Sequence, residues 1–258
     1  MGRNISENHL KAYKEGCFKQ LFSAIKEDPE LSFEVRLDNE VMVYYHKDKI
    51  LTTSFKSDKN PAVKILDSKY YAPSTGRKAP SVDMQDKKNW HVVSLWRKYF
   101  SEAKSLVYFY KKGAEFSVQQ NIALGNQSYD NRFLAVDMEW AFAQSDIDIK
   151  DRIPRTRIDL VLVDTIPNEQ GMNDIYMAEL KVGTVATEGT SGTIDHVEKT
   201  FKLINTEKAC QDLKEDVTNI INVKSELGIY TGTAKQFNLA DKPKMGAPDK
   251  PCGALCRC

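Results

Sequence analysis

The stretches "RIDLVLVD" at residues 157–164 and "IYMAELKV" at 175–182 decide how this chain is read. Each is a short run of Val, Leu, Ile and Met bounded by polar residues, so each is expected as a buried strand. Asp159 lies inside the first run, and Glu179 and Lys181 lie inside the second. Ionised side chains in apolar strands are costly unless something pairs with them. Side chains alternate faces along a strand, so Glu179 and Lys181 share a face and Leu180 takes the other. If the two strands pair, Asp159 stands beside Glu179. Two carboxylates next to a lysine make an oxygen-rich site. Such a site suits Mg²⁺, which takes one or two carboxylates and keeps several waters.

Working outward, "RFLAVDMEWAF" at 132–142 is expected as a preceding strand, with Asp137 and Glu139 on one face. "AEFSVQQNIALGN" at 114–126 reads as a helix before it. A Gly/Thr loop at 183–193 follows the Glu-Leu-Lys run, then "IDHVEKTFKLI" and "EKACQDLKEDVTNIINVKSEL" at helical period. Residues 90–112 form a further helix. Its face of Val93, Trp96, Tyr99, Phe100, Ala103, Leu106 and Val107 has the spacing of core residues.

The N-terminal third has a different character. Residues 6–27 carry one amphipathic pattern, expected as a single helix capped by Ser6. Residues 31–56 alternate in the strand manner around the turn signal Asp38-Asn39, giving a three-stranded antiparallel meander, with a further short strand at 63–66. The polar stretch 72–89, which carries Arg77, Lys78, Lys87 and Lys88, is expected as a surface loop. No strand is evident after the last helix. The residues from about 231 onward are rich in Lys, Pro, Gly and Ala and are expected as a flexible tail. The division expected is therefore an accessory region 1–89, a core 90–230 and a tail 231–258.

Composition narrows the classes. Of 258 residues, 41% are hydrophobic and 28% charged, which is globular, and a net charge of +1 means that any basic surface is local. No apolar run reaches membrane-spanning length and the first residues lack a secretory core, so a cytoplasmic protein without a membrane partner is expected. The patterns at Met1-Gly2 and at the C-terminal Cys-Arg-Cys superficially match lipidation signals. The five cysteines lack the spacing of a disulfide framework. His9, His46 and His91 have no zinc-ligand spacing, and no Walker loop, dinucleotide fingerprint or serine-hydrolase elbow is present.

Asp159 followed by Glu179-Leu180-Lys181 on consecutive strands, preceded by a helix and a strand, resembles the PD-(D/E)XK nuclease superfamily. The resemblance covers roughly residues 115–227. It implies an α/β (α+β mixed sheet) fold with a restriction-endonuclease-like core. The helix and meander at the N-terminus would be an addition to that core. It implies Mg²⁺-dependent hydrolysis of phosphodiester bonds, with Mn²⁺ as a substitute metal. Asp159, Glu179 and the Leu180 carbonyl would hold the metal, and Lys181 would serve the attacking water. Glu139 on the preceding strand or Glu115 on the helix before it are candidate further acids. Gln119 or Gln120 could contact the water shell or the substrate. His196, after the Gly/Thr loop, could approach the phosphate or a second metal, and Lys199 and Lys202 could bind phosphate. DNA is the expected partner ahead of RNA, a homo-oligomer is expected for cutting both strands, and prokaryotic phage defence is the setting such domains often occupy. The chain departs from the family pattern in two places: Ile158 stands where a proline usually precedes the first acid, and a fourth core strand is not visible. The rival expectation is a catalytically inactive module of the same fold that binds nucleic acid or a protein partner.

Overall fold

A computed structural model describes residues 2–56, 59–110, 114–142, 157–180 and 193–245 of the chain. They form a mixed α/β structure with two four-stranded sheets. The chain divides into two compact units: unit 1 comprises residues 1–120 and 222–229, and unit 2 comprises residues 121–221 and 230–258.

Unit 1 opens with helices α1 (Glu7–Lys14) and α2 (Lys19–Glu27), where the sequence suggests one continuous helix. Ser6 caps α1, its hydroxyl accepting from the His9 amide at 3.3 Å. The break comes at Gly16. A Cβ there would lie 2.8 Å from the Ala12 Cα, so only glycine allows the chain to fold back so closely. The amides of Gly16 and Phe18 both donate to the Ala12 carbonyl, at 3.1 and 3.0 Å.

The meander follows as β1 (Ser32–Arg36), β2 (Glu40–Tyr45), β3 (Asp48–Lys56) and β4 (Asn60–Ile65), all antiparallel in sequence order. Asp38 and Asn39 both have positive φ, as do His46 and Lys47. Two successive left-handed residues match the tight hairpin turns that suit strand twist. Helix α3 (Val93–Tyr110) packs on α2 and β3, so it belongs to unit 1 and not to the core that the sequence suggests. The physical reason is its apolar face. Trp96, Tyr99, Phe100, Ala103, Leu106 and Val107 are all buried, and the Tyr99 hydroxyl donates to the Ile50 carbonyl at 2.5 Å while accepting from the Leu66 amide at 2.8 Å. The polar stretch before α3 is also partly interior, since Val82 and Met84 are buried.

Unit 1 contains a deeply buried ion pair. Lys224 Nζ lies 2.9 Å from Glu34 Oε2, with both side chains at most 2% exposed, and the Ser32 hydroxyl donates to the other oxygen of Glu34.

Unit 2 holds the second sheet, ordered β5 (Phe133–Ala141), β6 (Arg157–Asp164), β7 (Ile175–Ala178) and β8 (Lys244–Met245). The first three run antiparallel and β8 joins β7 in parallel. Two helices follow β7, namely α5 (Thr193–Ile204) and α6 (Glu207–Glu226), and α4 (Ala114–Gly125) precedes β5. One face of β5 meets α6 through a hydrogen bond from Trp140 Nε1 to Asp216 Oδ2 at 3.0 Å, both residues buried.

The expectation of a flexible tail from residue 231, without a fourth strand, is corrected for residues 231–245; residues 246–258 lie outside the described residues. Residues 230–245 are laced into unit 2. The Tyr230 hydroxyl donates to the Ala135 carbonyl at 3.1 Å, the Asn173 amide to the Asn238 carbonyl at 2.7 Å, and the Ala240 amide to the Asn173 carbonyl at 3.0 Å. Gly232 has φ +80°, and a Cβ there would collide with the Asp130 carboxylate, 2.5 Å away. Strand β8 follows, its Lys244 ammonium 2.7 Å from Asp174 Oδ2. The strand is two residues long and lies in a Lys/Pro-rich stretch, so its sequence has no alternating run by which to recognise it.

Candidate functional site

The register of unit 2 determines which acids meet. Leu160 faces Ala178 across β6 and β7, so one step further Asp159 falls opposite Glu179. Met138 faces Leu160 and Trp140 faces Ile158 across β5 and β6, so Glu139 falls opposite Asp159. Glu139 and Asp159 therefore lie side by side on β5 and β6, and Glu179 follows directly after β7 at the same end of the sheet. Directly opposite residues in antiparallel strands are close neighbours on one face.

Each of these acids is withdrawn from water. Asp159 and Glu139 are 7% and 8% exposed. Both carboxylate oxygens of Glu179 are buried although the residue as a whole is only half-buried. The Leu180 amide donates to Asp159 Oδ2 at 2.9 Å, which ties the Glu179-Leu180 segment to β6 just past the end of β7. Glu139 receives Arg157 Nη1 on Oε2 at 2.7 Å, and the Arg157 side chain is itself 66% exposed. Arg157 sits two residues before Asp159, so both project to the same face of β6.

Glu139 carries a further mark. Its φ is +59° in the middle of a strand. A non-glycine residue in that region costs about 1–2 kcal/mol, and such strain concentrates at functional sites. Sequence reasoning named Glu139 but had no signal for its backbone, because a strand pattern carries none.

The opposite end of the same sheet carries two more acids. Asp164 pairs with Arg132 at 3.3 Å and Asp174 with Lys244 at 2.7 Å, and both acids are buried. Each of these acids has a basic side chain in contact, as Glu139 has Arg157. The Arg132 and Lys244 partners come from outside the two strands that carry the acids, so the pairing is not visible from spacing.

The remaining sequence candidates divide as follows. Lys181 and most of the Gly/Thr loop lie outside the described residues, as do the side chains of Glu115 on α4 and His196 on α5. Lys199 is half-buried and Lys202 exposed on α5. Gln119 is buried. Gln120 belongs to unit 1, where its amide is committed to the meander. Nε2 donates to the carbonyls of Tyr44, at 3.2 Å, and Glu30, and Oε1 accepts from the Lys47 amide at 3.4 Å. These hydrogen bonds tie Gln120 to the backbone of unit 1.

The donor chemistry of Glu139, Asp159 and Glu179 suits a hard divalent cation, since they offer carboxylate oxygens alone. Among the described residues, no group of three His, Cys, Asp or Glu side chains is assembled closely enough to hold a metal ion. No helix among them is long and apolar enough to cross a membrane.

Compared with known protein families, curated proteins and solved structures, the chain matches none of them.

Proposed function

We propose that unit 2 is a metal-dependent nuclease of the PD-(D/E)XK type, acting on DNA in the cytoplasm, as an effector of the kind used in prokaryotic phage defence. The observation that carries the reading is that Glu139 and Asp159, buried side by side on β5 and β6, and the buried carboxylate of Glu179, just past β7, stand at one end of the sheet. The order helix, three antiparallel strands, two helices and a further strand is compatible with it, since the resemblance implies a helix, a three-strand meander, a helix and a strand. Asp159, Glu179 and the Leu180 carbonyl would hold Mg²⁺ or Mn²⁺, with Glu139 as a further acid. A bound cation of this kind activates water and offsets negative charge on a phosphodiester. The Leu180 amide orients Asp159 by its hydrogen bond. Lys181, two residues beyond Glu179, would bring a positive charge to the attacking water and the developing oxyanion. Arg157 holds Glu139 and, being exposed, is placed to meet a phosphate beside the acids.

The test is cleavage of plasmid DNA and of RNA with and without Mg²⁺, by the natural chain and by Asp159→Ala and Lys181→Ala. Metal-dependent cleavage abolished in both variants is the expected result. No cleavage of any DNA or RNA substrate by the natural chain overturns the proposal.

One observation favours the rival, an inactive module that binds nucleic acid or protein. Glu139 and Asp159 already have partners within the protein, Arg157 and the Leu180 amide. On that reading Mg²⁺ leaves the melting temperature unchanged. On the nuclease reading Mg²⁺ raises it, and Asp159→Ala removes the rise.

A further inference from the structure

Away from these acids, the C-terminal end of α3 in unit 1 presents three consecutive aromatic residues to solvent. Tyr108, Phe109 and Tyr110 are 56%, 57% and 49% exposed. The same helix buries Trp96, Tyr99 and Phe100 almost completely, so its aromatics fall into two groups with different surroundings. Each of the exposed rings has an aromatic or cationic neighbour. The Arg77 guanidinium lies 5.3 Å from the Phe109 ring centre. Tyr110 meets Tyr70 edge-on at 4.9 Å, and the Lys69 ammonium lies 5.0 Å from the Tyr70 ring. Tyr108 lies 6.3 Å from His46, whose ring stacks on Tyr45 at 4.1 Å. Burial holds His46 below its ordinary range, so it contributes a neutral ring at pH 7. Lys104, which lies over Tyr45, is held by Asp28 and Glu30 at 2.7 Å each. By contrast, Lys69 and Arg77 have no ion pair among the described residues, so their charge is available to an outside anion.

We propose that this end of α3 is a binding platform for single-stranded nucleic acid, with bases stacking on Tyr108, Phe109 and Tyr110 and phosphates meeting Arg77 and Lys69. Aromatic rings set among cations are how proteins hold single strands without reading sequence. Consecutive helical residues are turned about 100° from one another, so the three rings face different directions. A duplex hides its base faces within the stack, whereas a flexible strand can turn each base to a separate ring. The inference rests on the reading of the chain as one that acts on nucleic acid, and narrows its substrate to one that contains an unpaired segment.

The test is fluorescence anisotropy of a labelled oligonucleotide of about 20 nucleotides, as single-stranded DNA, single-stranded RNA and duplex DNA, with EDTA present so that binding is read without cleavage. The site size of such platforms is within that length. The full chain is expected to bind single strands ahead of duplex. The triple variant Tyr108→Ala, Phe109→Ala, Tyr110→Ala is expected to weaken binding about tenfold or more, and Arg77→Gln to flatten the salt dependence. Circular dichroism checks that the triple variant is folded; if it is not, Phe109→Leu and Arg77→Gln, which preserve bulk, carry the comparison. Equal affinity in all variants, or no binding of single strands by the natural chain, overturns the platform. A dimer that dissociates in the triple variant, with no oligonucleotide bound, also overturns it and assigns the rings to self-association. Asp159→Ala is expected to bind normally. A chain that binds but never cleaves therefore sinks the nuclease reading alone, and one that cleaves with unaltered binding in the triple variant sinks the platform alone.

Discussion

At the scale of single residues, two positions in unit 1 make sharp demands. Gly16 lets the chain turn between α1 and α2 only because it has no Cβ to meet the Ala12 backbone at 2.8 Å. Gly16→Ala forces that backbone apart and is expected to destabilise the protein by about 1–3 kcal/mol, as overpacking does; chemical denaturation of the variant measures it. The Glu34–Lys224 pair is the second. Its charges are taken out of water, and their mutual attraction with the Ser32 hydroxyl offsets that cost. Lys224→Met alone removes the Lys224 ammonium from a buried carboxylate and is expected to cost about 3–5 kcal/mol, whereas the double variant Glu34→Leu, Lys224→Met recovers most of that loss. Equal melting temperatures for the single and double variants would contradict this account. In unit 2 the cysteine of α6 makes a milder demand. Burial pushes the Cys210 thiol up, and its sulfur already donates to the Ile204 carbonyl at 3.1 Å. A raised thiol has less thiolate at neutral pH. Alkylation at Cys210, followed by peptide mapping near pH 7.5, is expected to lag far behind that in the denatured chain.

At the scale of elements, the tail changes from filler to structure. Strand β8 covers the free edge of β7, and Lys244 reaches Asp174 at the start of that strand. Lys244→Glu places like charges together and is expected to expose the β7 edge, seen as faster amide hydrogen exchange at Tyr176 and Met177. Unchanged protection there would mean that β8 contributes nothing to the sheet. The same elements show what could be read beforehand. Strands β5, β6 and β7 were legible because apolar runs leave one reading, and so were α3, α5 and α6, whose apolar period is sustained. The split between α1 and α2 was not, since the apolar period continues across Gly16 and the decisive fact is a contact with Ala12. Nor was β8, whose two residues are specified by hydrogen bonds reaching from Asn173 to Asn238 and Ala240 and not by local pattern. At the site, alternation and the spacing of the acids suggested that Asp159 and Glu179 would be neighbours; the register of β6 and β7 runs as far as Leu160 and Ala178, one residue short of both. The left-handed backbone of Glu139 and its Arg157 partner lay beyond sequence, because both depend on how strands are laid side by side.

At the scale of the whole molecule, the chain enters unit 2 at residue 121, returns to unit 1 for residues 222–229 and then goes back. Unit 1 is therefore incomplete as a continuous segment. A fragment of residues 1–120 lacks Lys224 and is expected to melt lower than unit 1 does in the full chain, because Glu34 is left buried without its ammonium partner. Glu34→Leu placed in that fragment is expected to raise its melting temperature, while the same change in the full chain lowers it. A fragment as stable as the parent, indifferent to Glu34→Leu, would show that the returning segment is dispensable.

That return has a consequence in time. Chains are made from the N-terminus at about 5–20 residues per second. The partner of Glu34 is separated from it by 190 positions, so it leaves the ribosome roughly 10–40 seconds later at those rates. During that interval the Glu34 carboxylate waits for its Lys224 partner. The order of synthesis thus delays completion of the first-made half of the protein until nearly the last of its helices has emerged.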